Sequence, residues 1–113
     1  MAPLDCYSYA DSRSARLSLF DDLLVRLERF LSSPDGGELF SDLITRSQLL
    51  FEMEDLEYAR SLGVNRTTVG RWRNQRTVPL PLTQEAVLRA IQKVARSKRS
   101  SIEKSEALLA EAA

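Results

Sequence analysis

Between Ser14 and Leu31 the apolar residues Leu17, Phe20, Leu24, Leu27 and Leu31 recur at alternating spacings of three and four, with Leu23 and Phe30 alongside. That spacing predicts an amphipathic helix with a heptad-like seam, too short to be a coiled coil without partners. The stretch Ser32-Ser33-Pro34-Asp35-Gly36-Gly37 ends it, because proline and paired glycines do not continue a helix. Leu39, Phe40, Leu43, Ile44, Leu50 and Phe51 then mark a second helix, from Glu38 to Phe51. From Asp55 to Leu62 the apolar positions Leu56, Ala59 and Leu62 recur at threes with Tyr58 beside them, the stripe of a third. Gly63 is placed to close that helix in the left-handed conformation, and Asn65 to cap a fourth from Arg66 to about Asn74, with Val64 turned into the core. Pro79 and Pro81 put residues 75–82 in a loop. Thr83 caps a last helix beginning at Gln84, buried through Val87, Leu88, Ile91, Val94 and Ala95.

No Val/Ile/Thr-rich alternating run is present, so the expected class is all-α, a compact helical domain of about four to five helices. With 113 residues and 43% apolar content the chain suffices for one domain. Residues 1–13 show no period and read as a mobile arm, 14–99 as the domain, and 100–113 as a tail, either a frayed helical extension or disordered. Lacking histidine and holding the single cysteine Cys6, the sequence has no zinc-ligand set, no Cys-His nucleophile and no internal disulfide. Cys6 reads as a free thiol, with pairing between chains as the alternative. Neither a signal sequence nor a membrane span is legible, which points to a cytoplasmic protein.

Charge adds what hydropathy does not show. The formal net charge is zero, yet residues 64–101 carry nine basic side chains against the single acid Glu85, so this part is +8 and the remainder −8. An asymmetry of that kind suggests a polyanionic partner. At about 100° per residue, Val69 and Trp72 fall on one side of the helix from Arg66, while Thr67, Gly70, Arg71 and Asn74, flanked by Arg66, fall on the other. One face is core and the other is polar and basic.

Ala59, Gly63, Val64, Val69 and Trp72 at these offsets, with the words NRTTVGRW and the exit from Arg76 to Pro79, resemble the helix-turn-helix of the Cro/phage-repressor (Xre-like) DNA-binding family. The resemblance covers roughly residues 38–97, and the helix from Ser14 to Leu31 lies outside it. It implies a lambda-repressor-like fold and a sequence-specific regulator of transcription, a repressor in type, binding double-stranded DNA as a dimer on a palindromic site. Matched residue by residue, it places Arg66, Thr67 and Arg71 at base-reading positions and Asn65, Arg73, Asn74 and Arg76 beside phosphates. No cofactor or metal is implied. The four acids Glu52, Glu54, Asp55 and Glu57 depart from the pattern, since this helix start usually approaches a phosphate.

Several positions keep two readings. The seam Leu17, Phe20, Leu24, Leu27 and Leu31 serves either as extra core or as a homodimer interface. Gly70 is either a tolerated weak helix former or a site of close backbone approach to DNA. Trp72 reads as core, with base stacking as the lesser alternative. Lys93, Arg96, Lys98 and Arg99 either complement a helix dipole or meet phosphates. No residue set meets the geometry of an acyl- or phosphoryl-transfer site, so catalysis is set aside. The competing function is a protein-interaction module on the same scaffold, binding RNA polymerase, a toxin or another regulator.

Overall fold

A computed structural model describes residues 4–34 and 37–112 of the chain. It comprises five helices, α1 (Leu4–Ser32), α2 (Phe40–Phe51), α3 (Asp55–Leu62), α4 (Arg66–Arg73) and α5 (Pro81–Ala112), with no strand among the described residues. The fold is all-α. Helices α1 and α5 run antiparallel, since Asp21 bonds Arg99 while Glu28, further along α1, bonds the earlier Gln92. The shorter α2 and α3 pack against this pair, and α4 packs on α2 and α3, in a body of 49 × 28 × 28 Å.

The apolar spacing of α1 is spent inside the chain. Phe20, Leu23, Leu27 and Phe30 are buried, and Leu24 and Leu31 pack partly buried against them. Phe20 stacks on Phe51 of α2 with centroids 6.2 Å apart, and Phe30 lies 6.5 Å from Phe40. Val87, Leu88, Ile91 and Ala95 of α5 belong to the same core. Each fully buried Leu or Phe here contributes about 2 kcal/mol of transfer free energy. The seam of Leu17, Phe20, Leu24, Leu27 and Leu31 is therefore not a free homodimer surface: its two innermost members, Phe20 and Leu27, are inaccessible. The physical reason is that α5 has its own apolar face to cover, and α1 covers it.

Two helix starts differ from the sequence expectation by three residues or more. Helix α1 starts at Leu4, so residues 4–13 of the expected mobile arm are helical. No proline or glycine interrupts residues 4–32, and once a helix is nucleated each added residue gains a hydrogen bond for one residue fixed. The thiol of Cys6 lies outside the described side chains, as do residues 1–3 of the arm. Of the two readings for residues 100–113, the helical extension is the one found, through Ala112. At the other end, α5 begins at Pro81 rather than Gln84. Proline suits a first helical position because its φ is preset and its missing N–H would have no partner there. The carbonyl of Leu80 accepts the Gln84 N–H at 2.9 Å, and Gln84 Nε2 donates to the Pro79 carbonyl at 2.8 Å.

Candidate nucleic-acid interface

Gly63 joins α3 to α4 with φ 73° and ψ 29°. Its N–H bonds the Arg60 carbonyl at 3.2 Å and that of Val64 bonds Ala59 at 3.0 Å, which closes α3 in the left-handed manner. An added Cβ would meet nothing within 4 Å, so the positive φ rather than space selects glycine. Val64 then packs partly buried against the core. Asn65 takes the extended N-cap conformation, and its carbonyl accepts the Val69 N–H at 3.3 Å, but its side chain makes no cap bond. The expected side-chain cap is thus absent, and the amide of Asn65 is exposed at the start of α4.

The inward residues of α3 are Tyr58 and Ala59, with Leu62 partly buried, whereas Leu56 is exposed. Tyr58 was the residue beside the expected stripe. A phenol buried this deeply needs a partner, and its hydroxyl meets Ser47 Oγ of α2 at 2.5 Å, while Ser47 also donates to the Ile44 carbonyl at 3.1 Å. Burial pushes the Tyr58 hydroxyl above its ordinary value of 10.0. These contacts fix α3 on α2 and so fix the platform under α4.

On α4, Val69 and Trp72 are buried, the Trp72 ring edge-on to Phe40 with centroids 5.4 Å apart. An indole so enclosed cannot stack on a base. The outer face forms a shallow groove lined by Arg66, Thr67, Gly70, Arg71, Asn74 and Arg76, and by Asp55 of α3. Arg76 reaches this face because Gln75 turns the chain at φ 58° and the Arg76 N–H returns to the Arg71 carbonyl at 3.0 Å. A left-handed glutamine has no sequence signal. The Cβ that Gly70 lacks would meet only Arg73 Nη2, at 3.9 Å, so packing within the chain does not require glycine there.

Arg73 is placed elsewhere. Its guanidinium grips the Asp55 carboxylate at 2.5 and 3.1 Å and the Gln48 side-chain carbonyl at 2.8 Å. Gln48 in turn donates to Asp55 Oδ1 at 2.6 Å and to the Met53 carbonyl at 3.3 Å. One side chain from each of α2, α3 and α4 thus closes a polar clasp. The Arg73 donors first, and the Gln48 amide second, hold the Asp55 carboxyl below its ordinary value of 3.8. Arg73, expected beside a phosphate, is committed to this clasp, and Asp55, one of the four acids that depart from the pattern, is neutralised by it.

The remaining cations divide into tied and untied. Arg99 bonds Asp21 at 2.6 Å and also holds Glu103, and those bonds, Asp21 first, raise its guanidinium above the ordinary range. Lys98 Nζ lies 6.0 Å from the Phe51 ring centroid. Arg26 and Arg89 are likewise paired with acids. Arg66, Arg71 and Arg76, like the exposed Arg29, Arg46, Arg60 and Arg96, take part in none of the ion pairs among the described residues; what sets the three apart is that they line one groove.

Fold and site together define an all-helical protein in which two short helices around a glycine turn present a cationic groove. No protein-family model, curated protein or solved structure matches the chain. Among the described residues no group of three or more metal-binding side chains forms, and no helix is long and apolar enough to cross a membrane.

Proposed function

We propose that this chain is a sequence-specific regulator that binds double-stranded DNA with α4 in the major groove, acting as a dimer on two-fold related half-sites. One observation carries the reading: Arg66, Arg71 and Arg76 line a single exposed groove with Asp55, Thr67, Gly70 and Asn74, and none of the three takes part in an ion pair among the described residues, Asp55 being held by Arg73. Unpaired guanidinium groups on a helix face suit a polyanion, and an Arg can bond both O6 and N7 of guanine. Arg66, Thr67 and Arg71 then read bases, while Asn65, Asn74 and Arg76 contact phosphates. Arg73 acts behind the interface by holding α4 to α2 and α3. Gly70 lets backbone approach the duplex, which accounts for a poor helix former where the chain itself needs none.

Selection of bound duplexes from a random pool, followed by titration of the enriched site at two salt concentrations, tests this. An enriched motif is expected, with log affinity falling against log salt at a slope of roughly −1 per chain for its one cationic phosphate contact, Arg76. A pool that returns no motif, or a salt-independent affinity, refutes it. A protein-interaction module remains the second reading, favoured by a groove between α1 and α2 that bears the exposed residues Leu19 and Leu49. Under that reading the chain binds no duplex at any salt concentration.

A further inference from the structure

We propose that Asp55 is a specificity-determining residue of the α4 groove, accepting a hydrogen bond from the exocyclic amino group of a cytosine in the bound duplex. The inference rests on the DNA reading and adds to it a base-reading acceptor that comes from α3. Asp55 opens α3, and its side chain is the one acid among the residues lining the groove, beside Arg66 and Arg71. It keeps 36% of its surface exposed despite its bonds to Arg73.

An ionised carboxylate has about four acceptor positions, two on each oxygen. Oδ1 of Asp55 is filled, by Arg73 Nη1 at 2.5 Å and Gln48 Nε2 at 2.6 Å. Oδ2 accepts from Arg73 Nη2 at 3.1 Å and keeps its second position open among the described residues. The same bonds, those from Arg73 first, hold the carboxyl below its ordinary value of 3.8, so at neutral pH it only accepts. Arg73 also bonds the side-chain carbonyl of the buried Gln48 at 2.8 Å, and this closed ring of bonds holds the carboxylate in one orientation.

An acid beside a duplex is repelled by phosphates. Arg73 offsets the charge of Asp55 at contact distance, which removes the long-range repulsion and leaves the local lone pair. In this Asp55 differs from Glu52, Glu54 and Glu57 of the same acidic stretch. None of those three takes part in an ion pair among the described residues, and none lines the groove.

Base chemistry then selects the partner. The guanidinium groups of Arg66, Arg71 and Arg76 only donate, whereas Asp55 only accepts. In the major groove guanine shows two acceptors and thymine one, all of which repel a carboxylate. Adenine sets the N7 acceptor beside its amino donor, and cytosine alone presents an amino donor without an acceptor on its own edge. Arg66 is near enough for its charge to act on Asp55 but forms no ion pair with it. The two therefore reach adjoining base pairs, about 3.4 Å apart along the duplex, with Arg66 on a guanine and Asp55 on a cytosine.

The test compares the intact chain with Asp55→Asn, which keeps the shape and one oxygen but puts an amide donor in place of the other. Selection from a random duplex pool is expected to give the intact chain a motif in which a cytosine adjoins a guanine. With the variant that cytosine alone should lose its preference, while circular dichroism shows the helices retained. Replacing the same cytosine by an analogue without the exocyclic amino group should weaken binding of the intact chain roughly tenfold and of the variant less than about twofold. The analogue measured on the intact chain decides the matter even if the variant fails to fold. An intact-chain motif without such a cytosine, or undiminished binding to the analogue, overturns the proposal. So does a variant that binds every duplex more weakly yet keeps the cytosine preference, which would leave Asp55 as a member of the clasp only. Each of these outcomes leaves the DNA reading standing, whereas a pool that returns no motif removes both.

Discussion

Replacing Arg73 with alanine separates a structural from a DNA-contacting role. The substitution removes three hydrogen bonds, two to Asp55 and one to the side-chain carbonyl of the buried Gln48. An exposed ion pair is worth 0.2–1 kcal/mol, and this one is partly solvated, with side-chain exposures of 30% and 36%, so solvent screening holds its share to about 0.5 kcal/mol. The two-pronged geometry and the stranded Gln48 oxygen add roughly 1 kcal/mol. The expected cost is about 1.5 kcal/mol, a fall in Tm of roughly 6 °C for a domain of this size. Acid sharpens the test. The Asp55 carboxyl is depressed in the folded state, so its stabilisation is present above the ordinary value of 3.8 and lost as pH falls through the lower folded value. The gap in Tm between intact chain and variant should therefore narrow as pH drops from about 5 to 3. Thermal melts across that range, paired with DNA titrations at several salt concentrations, give both readouts. An unchanged Tm with a salt slope shallower by about one would show that Arg73 meets a phosphate and would refute the clasp as its main role.

Arg71→Ala is expected to cost about 1–3 kcal/mol at the selected site and to relax preference at one base pair, measured by repeating the selection; equal loss on every duplex would mark a phosphate contact instead. Gly70→Ala should raise stability by roughly 0.5–1 kcal/mol in denaturant unfolding, because the new methyl has open space, while weakening DNA binding. A tighter complex would show that no backbone approach occurs at Gly70. Arg99→Ala should lower Tm slightly and leave the salt slope unchanged, since Asp21 and Glu103 already neutralise this cation; a slope shallower by one would place it on the duplex.

Much of this arrangement was legible where the signal is local. Gly63, Val69 and Trp72 fix a turn and a helix face within a span of ten residues, and the structure returns α3 over the residues anticipated and α4 within one. What escaped depends on distant partners. By helical angle Arg73 sits only about 40° from Val69, but the partners that hold it there, Asp55 and Gln48, are 18 and 25 residues away, and only the fold brings them to its guanidinium. Leu56 satisfied the spacing of threes but Tyr58 took the core position, because Ser47 on another helix could satisfy its hydroxyl. Thr83 was a sound cap by composition, yet Pro81 started α5 three positions earlier than Gln84. The seam of α1 had the right period for either core or dimer, a choice made by α5, which period alone does not contain.

The antiparallel embrace of α1 and α5 has a consequence for when the protein becomes competent. Asp21 and Arg99 are 78 residues apart and Glu28 and Gln92 are 64 apart, whereas Ser47 and Tyr58 are separated by 11. Closing the longer span costs roughly 2 kcal/mol more in chain entropy. During synthesis the face of Phe20, Leu23 and Leu27 emerges early, and α2, through Phe51, covers only part of it until Leu88 and Ile91 arrive. The platform that carries α4 shares this core, so a ribosome-bound chain lacking α5 has the clasp of Arg73, Asp55 and Gln48 without the packing of Leu88 and Ile91. The cationic groove gains its full support only when α1 and α5 meet.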